Sequence, residues 1–170
     1  MRRRGYLATI AFGIALIGGS PGPRARPVIV WNASASATIG LYRVVSTKTI
    51  RVGDLVIARP PLELASLFAE RGYLPAGVPL LKRIAAMAGS VICRQGLDVS
   101  IDGRVIVRAL ANDRIGRLLP VWSGCWPLST GEVFLLMADV PASLDGRYFG
   151  ATPTSSIIGK AVPLWTWPAS

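Results

Sequence analysis

The stretch Leu97-Asp98-Val99-Ser100-Ile101-Asp102-Gly103-Arg104-Val105-Ile106-Val107 decides the fold. Asp102-Gly103 lies between two runs of alternating apolar residues. Both central positions of a tight hairpin turn need a positive φ, which Asp and Gly tolerate, so this pair is a strong hairpin signal. Reading outward, Leu80 to Met87 and Ser90 to Cys93 are extended runs upstream. Pro27 to Trp31, Ile39 to Val45 and Asp54 to Arg59 read as strands nearer the start. Downstream, Val133 to Met137 is continuously apolar, the mark of a buried strand, and Ser156 to Val162 is a last one. One segment has helical spacing. Leu62 to Glu70 carries apolar residues at 64, 65, 67 and 68, follows the break Pro60-Pro61, and meets a stop at Gly72. Many short strands with frequent Gly and Pro predict a mainly β domain, an antiparallel twisted β-sandwich or partly open barrel with one short helix.

At 170 residues the chain holds one domain with a real core. It divides into a basic, apolar export or anchor segment at 1–26 and a β-rich domain at 27–170. The net charge of +10 is misleading as a nucleic-acid signal: five of the 19 basic residues (Arg2, Arg3, Arg4, Arg24, Arg26) precede residue 27. From residue 27 on, 14 basic minus 9 acidic residues leave +5, spread thinly, with no basic helix and no aromatic-basic motif. No nucleic-acid partner is expected. Arg2 to Arg4, the uncharged apolar run Tyr6 to Gly19, and Ser20-Pro21-Gly22-Pro23 fit either a cleaved signal peptide or a short uncleaved anchor. The run is shorter than the ~18 residues of a comfortable membrane span. No small-x-small cleavage site follows it, and this favours the anchor. The arginines then keep the N-terminus cytoplasmic and put the domain outside; a soluble cytoplasmic domain is the competing reading. Cys93 and Cys125 close a disulfide in an oxidising compartment, or stay buried free thiols in a reducing one. Two cysteines and no histidine do not make a structural zinc site, and no cofactor is expected.

The lack of histidine also rules out a Ser-His-Asp triad, so a serine nucleophile would need another base, with a neutral lysine the main candidate. Ser36 lies in Trp31-Asn32-Ala33-Ser34-Ala35-Ser36-Ala37-Thr38-Ile39-Gly40-Leu41-Tyr42. If that segment is extended, Ser34 and Ser36 point to one side, among small neighbours that leave room for a substrate backbone. The Ser36 N–H and the Ser34 hydroxyl would then donate to an oxyanion. The bland alternative is a plain Ala-Ser loop. Lys82, in Leu80-Leu81-Lys82-Arg83-Ile84-Ala85-Ala86, shares a strand face with Leu80, Ile84 and Ala86. Burial there lowers a lysine's pKa; the alternative is an amine that snorkels to solvent. Arg83 faces the other way. In Ser143-Leu144-Asp145-Gly146-Arg147-Tyr148-Phe149-Gly150, Asp145 and Arg147 can pair across one side of an extended turn, with Ser143 on the same side.

Taken together, Asn32 to Arg43, Leu81 to Gly89 and Ser143 to Gly150 resemble, in that order, the signal peptidase family (S26) of Ser-Lys serine proteases. The likeness is to its conjugative-transfer, TraF-type branch, and the stretch from Cys93 through Gly116-Arg117-Leu118-Leu119-Pro120 to Gly124-Cys125 extends it. The resemblance implies a signal-peptidase-type β fold with Ser36 as nucleophile, Lys82 as general base and Ser34 as oxyanion support. It further implies that Ser143 orients the lysine amine and that Asp145 and Arg147 form a structural ion pair. It implies a membrane-anchored serine endopeptidase at the bacterial inner membrane, with a periplasmic catalytic domain. Its substrate would be an exported, pilin-like precursor that it cuts or joins head to tail, and conjugation or type IV secretion components are its implied partners. A general secretory signal peptidase and a non-catalytic β module of a secretion assembly are the alternatives. Two positions depart from the family pattern. Thr38 replaces a proline that would stiffen the turn after Ser36, and Gly146 replaces a common serine, which implies a looser loop around Ser143.

Overall fold

The structure, a computed structural model, describes residues 28–167. The basic cluster and apolar run expected within 1–26 lie outside the described residues. In chain order the elements are β1 (Ile29–Asn32), β2 (Gly40–Val45), β3 (Leu55–Ala58), α1 (Leu62–Glu70), β4 (Leu80–Met87), β5 (Val91–Gln95), β6 (Asp98–Ile101) and β7 (Arg104–Arg108). There follow β8 (Gly124–Pro127), β9 (Glu132–Leu136), α2 (Gly146–Phe149), β10 (Ala151–Pro153) and β11 (Ile157–Thr166). The strands form a seven-stranded sheet in the order β1-β2-β11-β3-β4-β9-β10 and a four-stranded sheet in the order β7-β6-β5-β8. Every pairing is antiparallel. The domain is thus mainly β, as its alternating patterns and turn residues predict. No described helix is long and apolar enough to cross a membrane.

Asp102 and Gly103 both have positive φ, 51° and 78°, and Ile101 pairs with Arg104 across them. This is the two-residue turn whose twist matches that of its strands. Helix α1 occupies the expected span and puts Glu63 in its first turn, where a carboxylate favours the N-terminal dipole. It ends at Gly72, whose φ of 70° turns the chain so that the Tyr73 N–H bonds back to the Phe68 carbonyl.

The central strands of the large sheet are covered on both faces, so they read as continuous apolar runs. Val56, Ile84, Val133, Leu135 and Ile157 form the core on one face, while Ile57, Leu81, Tyr42, Ala161 and Ala37 cluster together on the other. A third cluster joins the sheets through Ala86, Ile92, Val99, Leu128, Phe134 and Leu136. Two strands lack a sequence signal. Every residue of β8 is exposed, and β10 is a three-residue edge strand ending in Pro153. Such strands owe their conformation to their neighbour rather than to a pattern of their own.

Candidate active site

Ser34 and Ser36 sit in the turn between β1 and β2 rather than in an extended segment, the condition under which strand alternation would put them on one side. Asn32, the buried last residue of β1, organises the turn. Its Nδ2 donates to the carbonyls of Ser34, Ala37 and Thr38, each at 3.0 Å. Its Oδ1 accepts from the Ser34 N–H at 3.1 Å and the Ser34 hydroxyl at 2.9 Å. The turn therefore needs no proline at 38: the Thr38 carbonyl is also held by the Tyr42 hydroxyl, at 2.6 Å. The sequence signal for this role of Asn32 is an Asn two residues before a Ser, a turn signature.

The hydroxyls of Ser34 and Ser36 are 3.0 Å apart. Amide oxygens only accept, so the Ser34 proton belongs to Asn32 and the Ser36 proton points at Ser34 Oγ. Ser36 lines an open groove of about 580 Å³ with Val30, Ile57, Leu81 and Leu144 among its mostly apolar walls. Ala37, the next residue, packs in one cluster with Ile57 and Leu81, which fastens the turn to β3 and β4.

Lys82 lies on β4 between Leu81 and Arg83, opposite Val56 of β3. Its side chain is buried, 2% exposed, while Arg83 is exposed and donates to the Gly53 carbonyl at 2.9 Å. Lys82 Nζ donates to Ser143 Oγ at 2.9 Å. Burial lowers its pKa from 10.5 to about 8; the Asp145 charge raises it and the Arg147 charge lowers it. Because those two charges are paired, they offset one another at the amine, and desolvation decides the outcome. Among the described residues no hydrogen bond joins Lys82 to Ser36. The groove wall includes Leu81 and Leu144, the neighbours of Lys82 and Ser143.

Asp145 and Arg147 do pair, but at the start of a helix and not across an extended turn. Asp145 caps α2 by accepting the Arg147 N–H, and its carboxylate meets Arg147 Nε at 2.9 Å, both side chains being at most 1% exposed. The Arg147 guanidinium also donates to the carbonyls of Met137, Val140 and Pro141 at 2.7, 2.8 and 3.0 Å. The loop carrying Ser143 is thus wrapped around one buried cation. Gly146 tightens this arrangement, contrary to expectation. A Cβ there would lie 2.5 Å from the Phe134 ring and 2.7 Å from the Leu135 carbonyl.

Cys93 and Cys125 face each other across β5 and β8 and form a disulfide. The segments it joins both reach α2. Arg94, buried beside Cys93, donates to the Arg147 carbonyl, and Trp122 Nε1 donates to the Gly146 carbonyl at 2.9 Å. Nothing in the local sequence marks Arg94 or Trp122 for this task. At the other edge of the domain, Trp31, Trp165 and Trp167 are exposed and pack together, Trp31 edge-on to Trp167 at 5.6 Å between ring centroids and Trp165 tilted against Trp167 at 4.1 Å. Trp31 also lines the Ser36 groove.

The chain is similar in sequence to proteins of conjugative transfer. The plasmid transfer protein TraF of Escherichia coli is 34% identical over 147 residues, 80% of this chain and 82% of that protein. The conjugal transfer protein TraF of Agrobacterium tumefaciens (strain 15955) is 33% identical over 150 residues, 80% of this chain and 81% of that one. A solved signal peptidase I from Enterococcus faecalis V583 overlays with a TM-score of 0.38 at 17% identity, over 66% of this chain and 97% of that chain. The family described as signal peptidase, peptidase S26, matches residues 1–167, and the chain belongs to it.

Proposed function

We propose that this protein is a membrane-anchored serine endopeptidase with a Ser36-Lys82 dyad that processes an exported precursor, a pilin or related protein of a conjugative transfer system. One observation carries the reading. A lysine amine buried on β4, bonded to Ser143 and with its pKa lowered to about 8, sits next to the wall of the groove that Ser36 lines. In the reaction, Ser36 Oγ leaves Ser34 and attacks the scissile carbonyl carbon while its proton passes to neutral Lys82. The Ser36 N–H and the Ser34 hydroxyl, swung away from Asn32, stabilise the oxyanion. The tetrahedral intermediate collapses, the C–N bond breaks, and Lys82 returns the proton to the leaving amine. Water then attacks the Ser36 ester with Lys82 again taking a proton. A free amine of a peptide chain in place of water gives joining instead.

The TraF relatives support a conjugative setting. The exposed tryptophans beside the groove support a position at the outer surface of the inner membrane, where Trp favours the interface. The disulfide supports a periplasmic domain. Anchoring enzyme and precursor in one layer raises their effective concentration. The deciding experiment incubates the full chain in detergent with a pilin precursor encoded in the same transfer region and reads cut and circular products by mass spectrometry. Both Ser36→Ala and Lys82→Ala should abolish processing while the domain stays folded. Processing that persists in either variant removes the dyad.

A further inference from the structure

A second cavity, of about 440 Å³, adjoins the Ser36 groove and has a different chemistry. Tyr73 and Leu144 line both. The other walls include Arg71, Asp113, Arg114 and Arg117. Asp113 holds the 113–117 turn together, accepting from the N–H groups of Ile115 and Arg117 at 3.0 and 2.8 Å and from the Tyr73 hydroxyl at 2.6 Å. Its carboxylate also pairs with Arg117 Nε at 2.6 Å. Burial alone would raise its pKa, but the hydrogen bonds from Tyr73 and Arg117 outweigh that and keep it ionised. The one acid of the lining is therefore committed to Arg117, which in turn lies over the Tyr73 ring and donates to the Arg71 carbonyl.

Two guanidinium groups remain. Arg71 uses one of its five donors, Nη1 to the Leu118 carbonyl at 2.6 Å, and the Arg114 side chain makes no hydrogen bond or ion pair among the described residues. The end of α1 and the 113–117 turn thus each present one uncompensated fork in a concave site next to the groove, and a planar anion is their natural complement. The exposed tryptophans do not line this cavity, so a groove-borne ligand fits it better than a lipid headgroup.

We propose that the cavity bounded by Arg71 and Arg114 is a subsite for a carboxylate of the substrate peptide, either an acidic side chain or a free chain end, a few residues from the scissile bond. It rests on the preceding reading only in taking the groove's occupant to be a peptide. The test uses the full chain in detergent as the Ser36→Ala variant, so that binding is measured without turnover. Short fluorescent alanine-rich peptides carry one Glu at successive positions, each with a Gln twin, and end in either an acid or an amide. One Glu position, or the free acid, should bind about tenfold tighter than its neutral twin at low salt. That preference should fall to near parity in Arg114→Gln, weaken in Arg71→Gln, and survive in part in Arg114→Lys. A side-chain source shows in the Glu/Gln pairs, and a chain-end source in the acid/amide pairs. Equal binding within all pairs, no measurable binding, or a preference that survives loss of both arginines overturns the proposal. So does arginine-dependent binding of phosphatidylglycerol vesicles without any peptide preference. If the native chain cleaves no precursor while the Arg114-dependent preference holds, the peptidase reading fails and the subsite stands.

Discussion

Lys82 and Ser143 are joined by a 2.9 Å hydrogen bond across 61 residues of sequence, and this bond fastens the central strand β4 to the loop ahead of α2. Ser143 is the amine's hydrogen-bond partner among the described residues, and the nearby Asp145 and Arg147 charges are paired with each other. The proposed chemistry depends on how that partner and the burial around it set the proton affinity.

On the proposed mechanism activity follows the neutral amine. With a pKa of about 8, roughly a tenth of the enzyme is competent at pH 7 and about half at pH 8. The kcat/KM profile should rise through pH 8 and level off above it. A profile flat from pH 6 to 9 contradicts Lys82 as the base.

The same shift makes Lys82 costly to the fold. Between about pH 8 and 10.5 the unfolded chain carries a proton on this amine that the folded chain lacks, so stability rises with pH across that window. Below it, the fold bears the full cost of about 3 kcal/mol. Lys82→Met should be about 2 kcal/mol more stable than the native chain at pH 7, after loss of the Ser143 bond, and the gap should close by pH 10.5. Denaturant melts at several pH values measure it.

Ser143→Ala removes the amine's partner without opening the core. Stability should fall by about 1 kcal/mol, while processing should fall at least about tenfold because the amine loses its orientation. Arg147→Ala differs in kind. It strands Asp145 in the interior and frees three carbonyls of the Ser143 loop, and should cost about 3–5 kcal/mol in a thermal melt.

Asn32→Ala should disable the turn that presents Ser36, since three carbonyls and the Ser34 hydroxyl lose their partner together. Asn32→Asp should not rescue it, because a carboxylate cannot donate to those carbonyls. Residual precursor cleavage above about a tenth of native in either variant would show that the turn holds itself.

Cys93→Ser with Cys125→Ser releases a link that spans 32 residues. Loop-closure entropy sets the loss near 4 kcal/mol. Activity should also fall at temperatures where the variant remains folded, because Arg94 and Trp122 lose part of the frame that holds them on α2. Equal activity of the native and serine forms under such conditions would leave the bridge a purely structural role.

What was legible in the sequence is what local physics decides. The Asp102-Gly103 turn, the Leu62–Glu70 helix and the buried runs of β4 and β9 each depend on neighbours a few residues away. Ser34 and Ser36 were expected on one side and are in contact, but through an Asn32-built turn rather than strand alternation. Thr38 and Gly146, in place of the family's proline and serine, imply looseness where this chain has Tyr42 holding one turn and Phe134 packed against the other. The contacts of Arg94 with Arg147, Trp122 with Gly146 and Asp113 with Tyr73 were beyond reach, because these partners lie 53, 24 and 40 residues apart. Only the assembled sheets bring them together.

The hydrogen-bond relay from Ser36 through Ser34 to Asn32 has a practical consequence. At rest the hydroxyl's hydrogen is directed into the protein's own turn, onto Ser34 Oγ. On the proposed mechanism, a bound peptide backbone that competes for these donors is what frees it. Small serine-directed electrophiles, offering no such backbone, should therefore label this site sluggishly, and peptide-shaped ones far faster.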